Sequence, residues 1–145
     1  MRTGLVSFAA VLLLAACGGS GSGSGPSADP ETLIGSSYAV TAITVDGTER
    51  EVLGPITFSF TADSISVATP CNGMSGPVTY SPTNITVGDL AQTMMACEPA
   101  LMDQDQYLTE VLATGPAWTV ADGKLTLTSG STVITADSAA DGQSP

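Results

Sequence analysis

Ile56-Thr57-Phe58-Ser59-Phe60-Thr61 is the stretch from which the rest of the chain is read. Every second residue is large and apolar, and every residue between is a small hydroxyl. Successive side chains of a strand point to opposite faces, so this segment is a half-buried β-strand. Ile65 and Val67 repeat the pattern after an Ala62-Asp63-Ser64 turn. Val78 and Tyr80, then Ile85 and Val87, give two more short strands around Ser81-Pro82-Thr83. Upstream, Tyr38 and Val40 alternate, and Ile43 and Val45 alternate in the opposite phase. One extra residue in a strand flips its faces, so a bulge is expected near Ala42. Downstream, Trp118 and Val120 lead into Asp122-Gly123, a strong two-residue hairpin signal. Leu125 and Leu127 run back, and a final strand starts at Val133 or Ile134 after Ser129-Gly130-Ser131.

One segment departs from period two. Leu101, Leu108, Val111 and Leu112 fall at helical spacing, with Tyr107 one turn before Val111. Pro99 suits a first helical turn, and Gly115-Pro116 suits a stop. Glu98, Asp103 and Asp105 place negative charge toward the positive end of this helix, where they read as a solvated acidic face. The expected domain has seven or eight short antiparallel strands, with one helix inserted after the fifth.

Outside this region the composition changes. Arg2, the apolar run Leu5–Leu14 and Leu14-Ala15-Ala16-Cys17 read as a secretory signal peptide ending in a lipobox. The run is shorter than the roughly 20 residues that span a bilayer. Residues 1–16 are expected to be removed and Cys17 to carry palmitate-type acyl chains. Residues 17–31 form a flexible Gly/Ser linker that would hold the domain on the order of 20 Å from the membrane. Residues 32–137 form the domain, and residues 138–145 form a small polar tail. The expected location is the cell membrane, lipid-anchored, on the extracytoplasmic or periplasmic side.

Of 3 Lys+Arg against 14 Asp+Glu, the chain beyond residue 16 keeps only Arg50 and Lys124 as bases. Its formal charge is therefore −12, against −11 for the full sequence. So acidic a surface repels nucleic acid, which is not expected as a partner. There is no histidine, the commonest general base and metal ligand. No GxSxG or SxxK pattern accompanies the serines. Asp103-x-Asp105 lacks the glycine and distal glutamate of a calcium loop. The same two carboxylates do not face each other, as paired catalytic acids would have to. Asn84-Ile85-Thr86 fits the N-glycosylation pattern by chance. No catalytic residue, metal or cofactor is expected. With Cys17 taken by lipid, Cys71 and Cys97 remain as an even pair in an oxidising compartment and read as one disulfide. Free thiols and a metal site are the alternatives.

The densest motif is Cys71-Asn72-Gly73-Met74-Ser75-Gly76, followed by Thr93-Met94-Met95-Ala96-Cys97 and Leu101-Met102-Asp103-Gln104-Asp105. With Gly123-Lys124-Leu125-Thr126-Leu127 it resembles the signature of the META domain, found in HslJ-like bacterial lipoproteins. Leu33-Ile34-Gly35 is followed here by Tyr38 where the family often has Trp. Pro70 precedes Cys71 where Gly is common. The resemblance implies a mainly β fold, a small antiparallel lipocalin-like barrel or curved sheet with one packed α-helix. It implies no established catalysis, and it links the chain to the envelope and to heat or antibiotic stress.

The motif residues Asn72, Gly73, Ser75, Gly76, Thr93, Met95 and Ala96 read as architecture. Asn72-Gly73 offers left-handed angles for a tight turn, and Ser75-Gly76-Pro77 offers a second turn. Met94 and Met95 read as adaptable core filler in preference to an exposed contact surface. The expected role is binding or support through an unknown envelope protein. The alternative is a small-ligand carrier with an unfilled apolar barrel.

Overall fold

The computed structural model describes residues 29–139. Cys17, the signal peptide and most of the linker and tail lie outside these residues. Ten strands are present: β1 (Ser37–Val45), β2 (Thr48–Arg50), β3 (Thr57–Phe60), β4 (Ser64–Ala68), β5 (Gly73–Tyr80), β6 (Ile85–Val87), β7 (Ala91–Gln92), β8 (Ala117–Ala121), β9 (Lys124–Ser129) and β10 (Thr132–Ser138). The single helix among the described residues longer than one turn, α1 (Pro99–Ala113), lies between β7 and β8. Eight strands form an antiparallel path in the order β6-β5-β4-β3-β1-β10-β9-β8, with β2 beside β1 and β7 beside β5. An Asn84–Ala117 bridge brings the two ends of the path together. The Ile85 N–H donates to Pro116 O at 3.1 Å and the Trp118 N–H to Thr83 O at 3.2 Å, so the sheet is a nearly closed barrel. Closure protects backbone groups that would otherwise form open edges.

The alternation in the sequence maps onto this barrel. Ile56, Phe58, Phe60, Ile65 and Val67 are each at most 1% exposed. The phase change in β1 is a register shift between Val40 and Ala42 against β10. It lets Tyr38 and Ile43, an odd number of residues apart, both point inward. Asp122 and Gly123 take φ of 52° and 73°, the paired left-handed angles that match the twist of a hairpin. Of the two candidates that open the last strand, Ile134 faces the core.

Three expectations are corrected, and one hairpin is added. The helix follows seven strands, because β2 and β7 are too short to show an apolar alternation. Asp46-Gly47, a hairpin dipeptide like the other, makes the β1–β2 turn with φ of 51° and 77°. Asn72-Gly73 is not a left-handed turn, since positive φ occurs at neither residue. Ser75-Gly76-Pro77 is not a turn but the middle of β5, paired with Ser66, Ile65 and Ser64 of β4. Glycine is needed at 76 because a Cβ there would sit 2.7 Å from the Asp89 carbonyl oxygen.

The helix starts with Pro99 in its first turn and stops at Gly115, whose φ is 70°. Leu108, Val111 and Leu112 bury its apolar face, as the spacing predicts. Gln104 reaches back to the loop before β3, where its Oε1 accepts from the Leu53 N–H at 2.8 Å and its Nε2 donates to Leu53 O at 3.1 Å. The Tyr107 hydroxyl shares a 2.8 Å hydrogen bond with Thr132, and the Arg50 guanidinium lies 4.2 Å above its ring. The segments carrying Arg50, Leu53 and Thr132 lie at one end of β1, β3 and β10, so α1 covers that end.

At the other end, the one-turn helix Pro30–Thr32 delivers Leu33, fully buried, beside Tyr38 and Phe60. Burial raises the Tyr38 hydroxyl above its ordinary pKa of 10.0, with Ser36 pulling weakly the other way. Burial, followed by the Asp63 carboxylate, raises Tyr80. The folded state thus holds both protons longer than the unfolded chain does. Their contribution is complete below about pH 10 and is lost as pH rises beyond it. Chemical denaturation of the Tyr38→Phe, Tyr80→Phe double variant should show a shallower loss of stability above pH 10 than the parent.

Candidate functional site

The motif residues converge where the 69–73 segment, the 91–97 loop and α1 meet. Cys71 and Cys97 are bonded, with Cα atoms 5.9 Å apart. This joins the segment before β5 to the residue two before the helix. Beside the bond, Asn72 is 6% exposed and uses its whole amide. Oδ1 accepts from the Thr93 hydroxyl and the Met95 N–H, both at 2.9 Å. Nδ2 donates to Asp105 Oδ2 at 2.9 Å and touches Cys71 Sγ at 3.0 Å.

The other members close the circuit. The Thr69 hydroxyl donates to Asp105 Oδ1 at 2.6 Å and accepts from the Asn72 N–H at 3.0 Å. The Thr93 hydroxyl, while donating to Asn72, accepts from the Gly73 N–H at 3.1 Å, and the Thr93 N–H donates to Gly73 O at 3.0 Å. One turn along the helix, the Thr109 hydroxyl lies 2.9 Å from Asp105 O and 3.0 Å from Met74 Sδ. Among the described residues no buried side-chain nitrogen or oxygen lacks a partner. A buried polar network contributes to stability when every member is satisfied, and here the group binds a loop and a helix to the barrel.

Two expectations about this region are overturned. Asp105 does not belong to the solvated face with Glu98 and Asp103, being 1% exposed. The helical phase carries the signal: Asp105 lies seven residues before Leu112, on the buried face. Met94 and Met95 are not core filler, at 93% and 63% exposed. Once Asn72 holds the Met95 N–H and Thr93 holds Gly73, the intervening side chains face solvent. Met74 is the methionine that fills the core, at 2% exposed.

The exposed methionines line a groove of about 520 Å³ between the 92–96 loop and the outer face of α1. Met102, Asp103, Gln106 and Glu110 form its helical wall, and Asn72 and Thr109 reach it from the network. Met102 is also exposed, at 47%. Hydrogen peroxide at limiting dose should oxidise Met94, Met95 and Met102 before Met74. Peptide mapping of the sulfoxides checks that order.

The barrel itself is occupied. Ile43, Phe58, Phe60, Trp118, Leu127 and Ile134, each at most 2% exposed, belong to one continuous core. Among the described residues no group of three or more His, Cys, Asp or Glu is placed to hold a metal ion. No helix there is long and apolar enough to cross a membrane.

Residues 31–140 match the family pattern of the META domain. The chain belongs to the META domain family. The match takes in the disulfide, the Asn72 network and α1. The META domain also resembles two solved structures. One, an NMR structure of a protein from Burkholderia xenovorans, is 20% identical with a TM-score of 0.66, covering 97% of this chain and 99% of that one. A second NMR structure is 28% identical with a TM-score of 0.61, covering 75% of this chain and 93% of that one. No curated protein matches.

Proposed function

We propose that this META protein is a non-catalytic binding protein of the cell envelope, lipid-anchored through Cys17 and active under heat or antibiotic stress. One observation carries the binding role. The motif's polar groups are spent on one another, with all four hydrogen-bonding positions of Asn72 used inside the domain. A nucleophile or general base needs a free, activated group aimed at a substrate. Asn72, Thr69, Thr93 and Asp105 are instead arranged to hold the 91–97 loop in one shape. That favours a surface that binds. The anchor rests on the sequence alone, in Leu14-Ala15-Ala16-Cys17. The chain beyond residue 16 carries a formal charge of −12, which disfavours anionic headgroups and favours envelope proteins as partners.

Mass spectrometry of the membrane fraction should show a mature N-terminus at Cys17 carrying acyl chains. The Cys17→Ser protein should leave the membrane. Crosslinking of intact cells with the anchored protein should capture an envelope partner, and more of it after heat or antibiotic exposure. Unaltered membrane attachment of Cys17→Ser refutes the anchor. Turnover of a substrate by the purified domain, lost on one polar substitution without unfolding, refutes the non-catalytic role.

A further inference from the structure

We propose that the groove between the 92–96 loop and α1 takes a basic segment of a partner protein that also carries bulky apolar side chains. This rests on the binding role above and gives it a place and a partner chemistry. Three observations combine. Met94, Met95 and Met102 expose 93%, 63% and 47% of their surface into or beside one groove. Large apolar side chains gathered so on a small domain mark a contact surface. Thioether chains are flexible and polarisable, so they adapt to leucine or phenylalanine side chains of varied shape.

The rim supplies the second half of the recognition. Asp103 and Glu110 stand two helical turns apart on the same wall, both exposed. Neither has a cation of its own. Arg50 lies over Tyr107 and Lys124 pairs with Asp137, and these are the bases among the described residues. Gln106 donates to Glu110 Oε1 at 2.9 Å, which orients that carboxylate without neutralising it. A groove lined by methionines, with uncompensated carboxylates along one wall, complements a cationic amphipathic segment and disfavours an acidic one.

The third observation is rigidity. The Met95 N–H is fixed by Asn72, and the loop's far end is fixed by the Cys71–Cys97 bond. The backbone is therefore in place before the partner arrives, which lowers the ordering cost of binding. Only the methionine side chains need to adjust.

The test uses the chain from residue 17 onward, kept soluble by Cys17→Ser. The probe is a labelled 12-residue peptide of leucine and lysine at helical spacing. One comparison peptide has glutamate for lysine, and another has serine for leucine. Binding is read by fluorescence anisotropy and by the methyl NMR signals of the methionines. The lysine–leucine peptide should bind and shift Met94, Met95 and Met102. Either comparison peptide should bind at least about tenfold more weakly. Asp103→Lys with Glu110→Lys, and separately Met94→Ser with Met102→Ser, should weaken binding by a similar factor.

Glu31→Lys with Glu49→Lys makes the same change in net charge away from the groove and should alter binding less than about twofold. All the altered side chains are exposed, so Tm should hold. If one double variant loses stability, its two single substitutions are compared at equal folded fraction. Equal loss in the Glu31, Glu49 control would reduce the effect to bulk charge and overturn the proposal. So would peptide binding that leaves the methionine methyls unmoved, or no binding at millimolar peptide. In those cases a partner crosslinked in cells at another surface would leave the anchored binding role standing.

Discussion

Asn72→Ala will lower the stability of the domain by about 3 kcal/mol, although it removes only one small side chain. The loss comes from what stays behind. The Met95 N–H and the Thr93 hydroxyl lose their acceptor, and Asp105 Oδ2 loses its donor inside a site that is 1% exposed at Asp105. Leaving a buried polar group unpaired costs about 1–3 kcal/mol, more than an average hydrogen bond contributes. For a domain of this size, Tm should fall on the order of 10–20 °C, measured by circular dichroism.

Asn72→Asp is the sharper control. It keeps the shape but sets a second carboxyl group at the 2.9 Å position now held by an amide donor, so it should be at least as damaging. Asp105→Asn should cost less, because its amide oxygen can still accept from Asn72 Nδ2 and only the Thr69 bond is lost. Asn72→Ala unfolding within about 0.5 kcal/mol of the parent would show that the network does not hold the loop.

Removing the disulfide, as Cys71→Ala with Cys97→Ala, should cost about 3.5 kcal/mol. The bond closes a loop with a sequence separation of 26, and the unfolded chain gains that freedom when it is removed. The urea midpoint of the double variant should match that of the reduced parent and lie well below the oxidised parent. The bond and Asn72 hold the same loop from adjacent positions, so their effects should not add. A triple variant with Asn72→Ala should lose less than the sum, with a coupling of about 0.5–3 kcal/mol. Strict additivity would mean that the two features brace separate structures. Both changes should also loosen Met94 and Met95, and methionine methyl order parameters would report it.

Much of the barrel was legible because alternation is a direct imprint of a half-buried sheet. Phe58 and Phe60 fall on one face through local geometry alone, as do Ile65 and Val67. The bulge between Val40 and Ala42, the Asp122-Gly123 turn and the stop at Gly115 are likewise written in a few adjacent residues. β2 and β7 were missed because three and two residues carry no period. They are strands because β1 and β5 offer partners, not because of their own composition.

The site divides along the same line. The sequence by itself determined the faces of the longer strands, the helix and the family of the chain. It favoured a Cys71–Cys97 bond over free thiols or a metal site, which the structure then decided. It could not determine the roles of Asn72, Asp105, Met94 and Met95. An Asn-Gly dipeptide suits a turn, an exposed aspartate suits a helix start, and paired methionines suit a core. Each of those readings weighs a residue against its neighbours in the chain. In the fold, Asn72 meets Asp105 across 33 residues and Met95 across 23. Those distant partners decide that the polar pair is buried and that the methionines face solvent. Hydrogen-bond satisfaction is a property of the assembled space around a group, and only the tertiary structure assembles it.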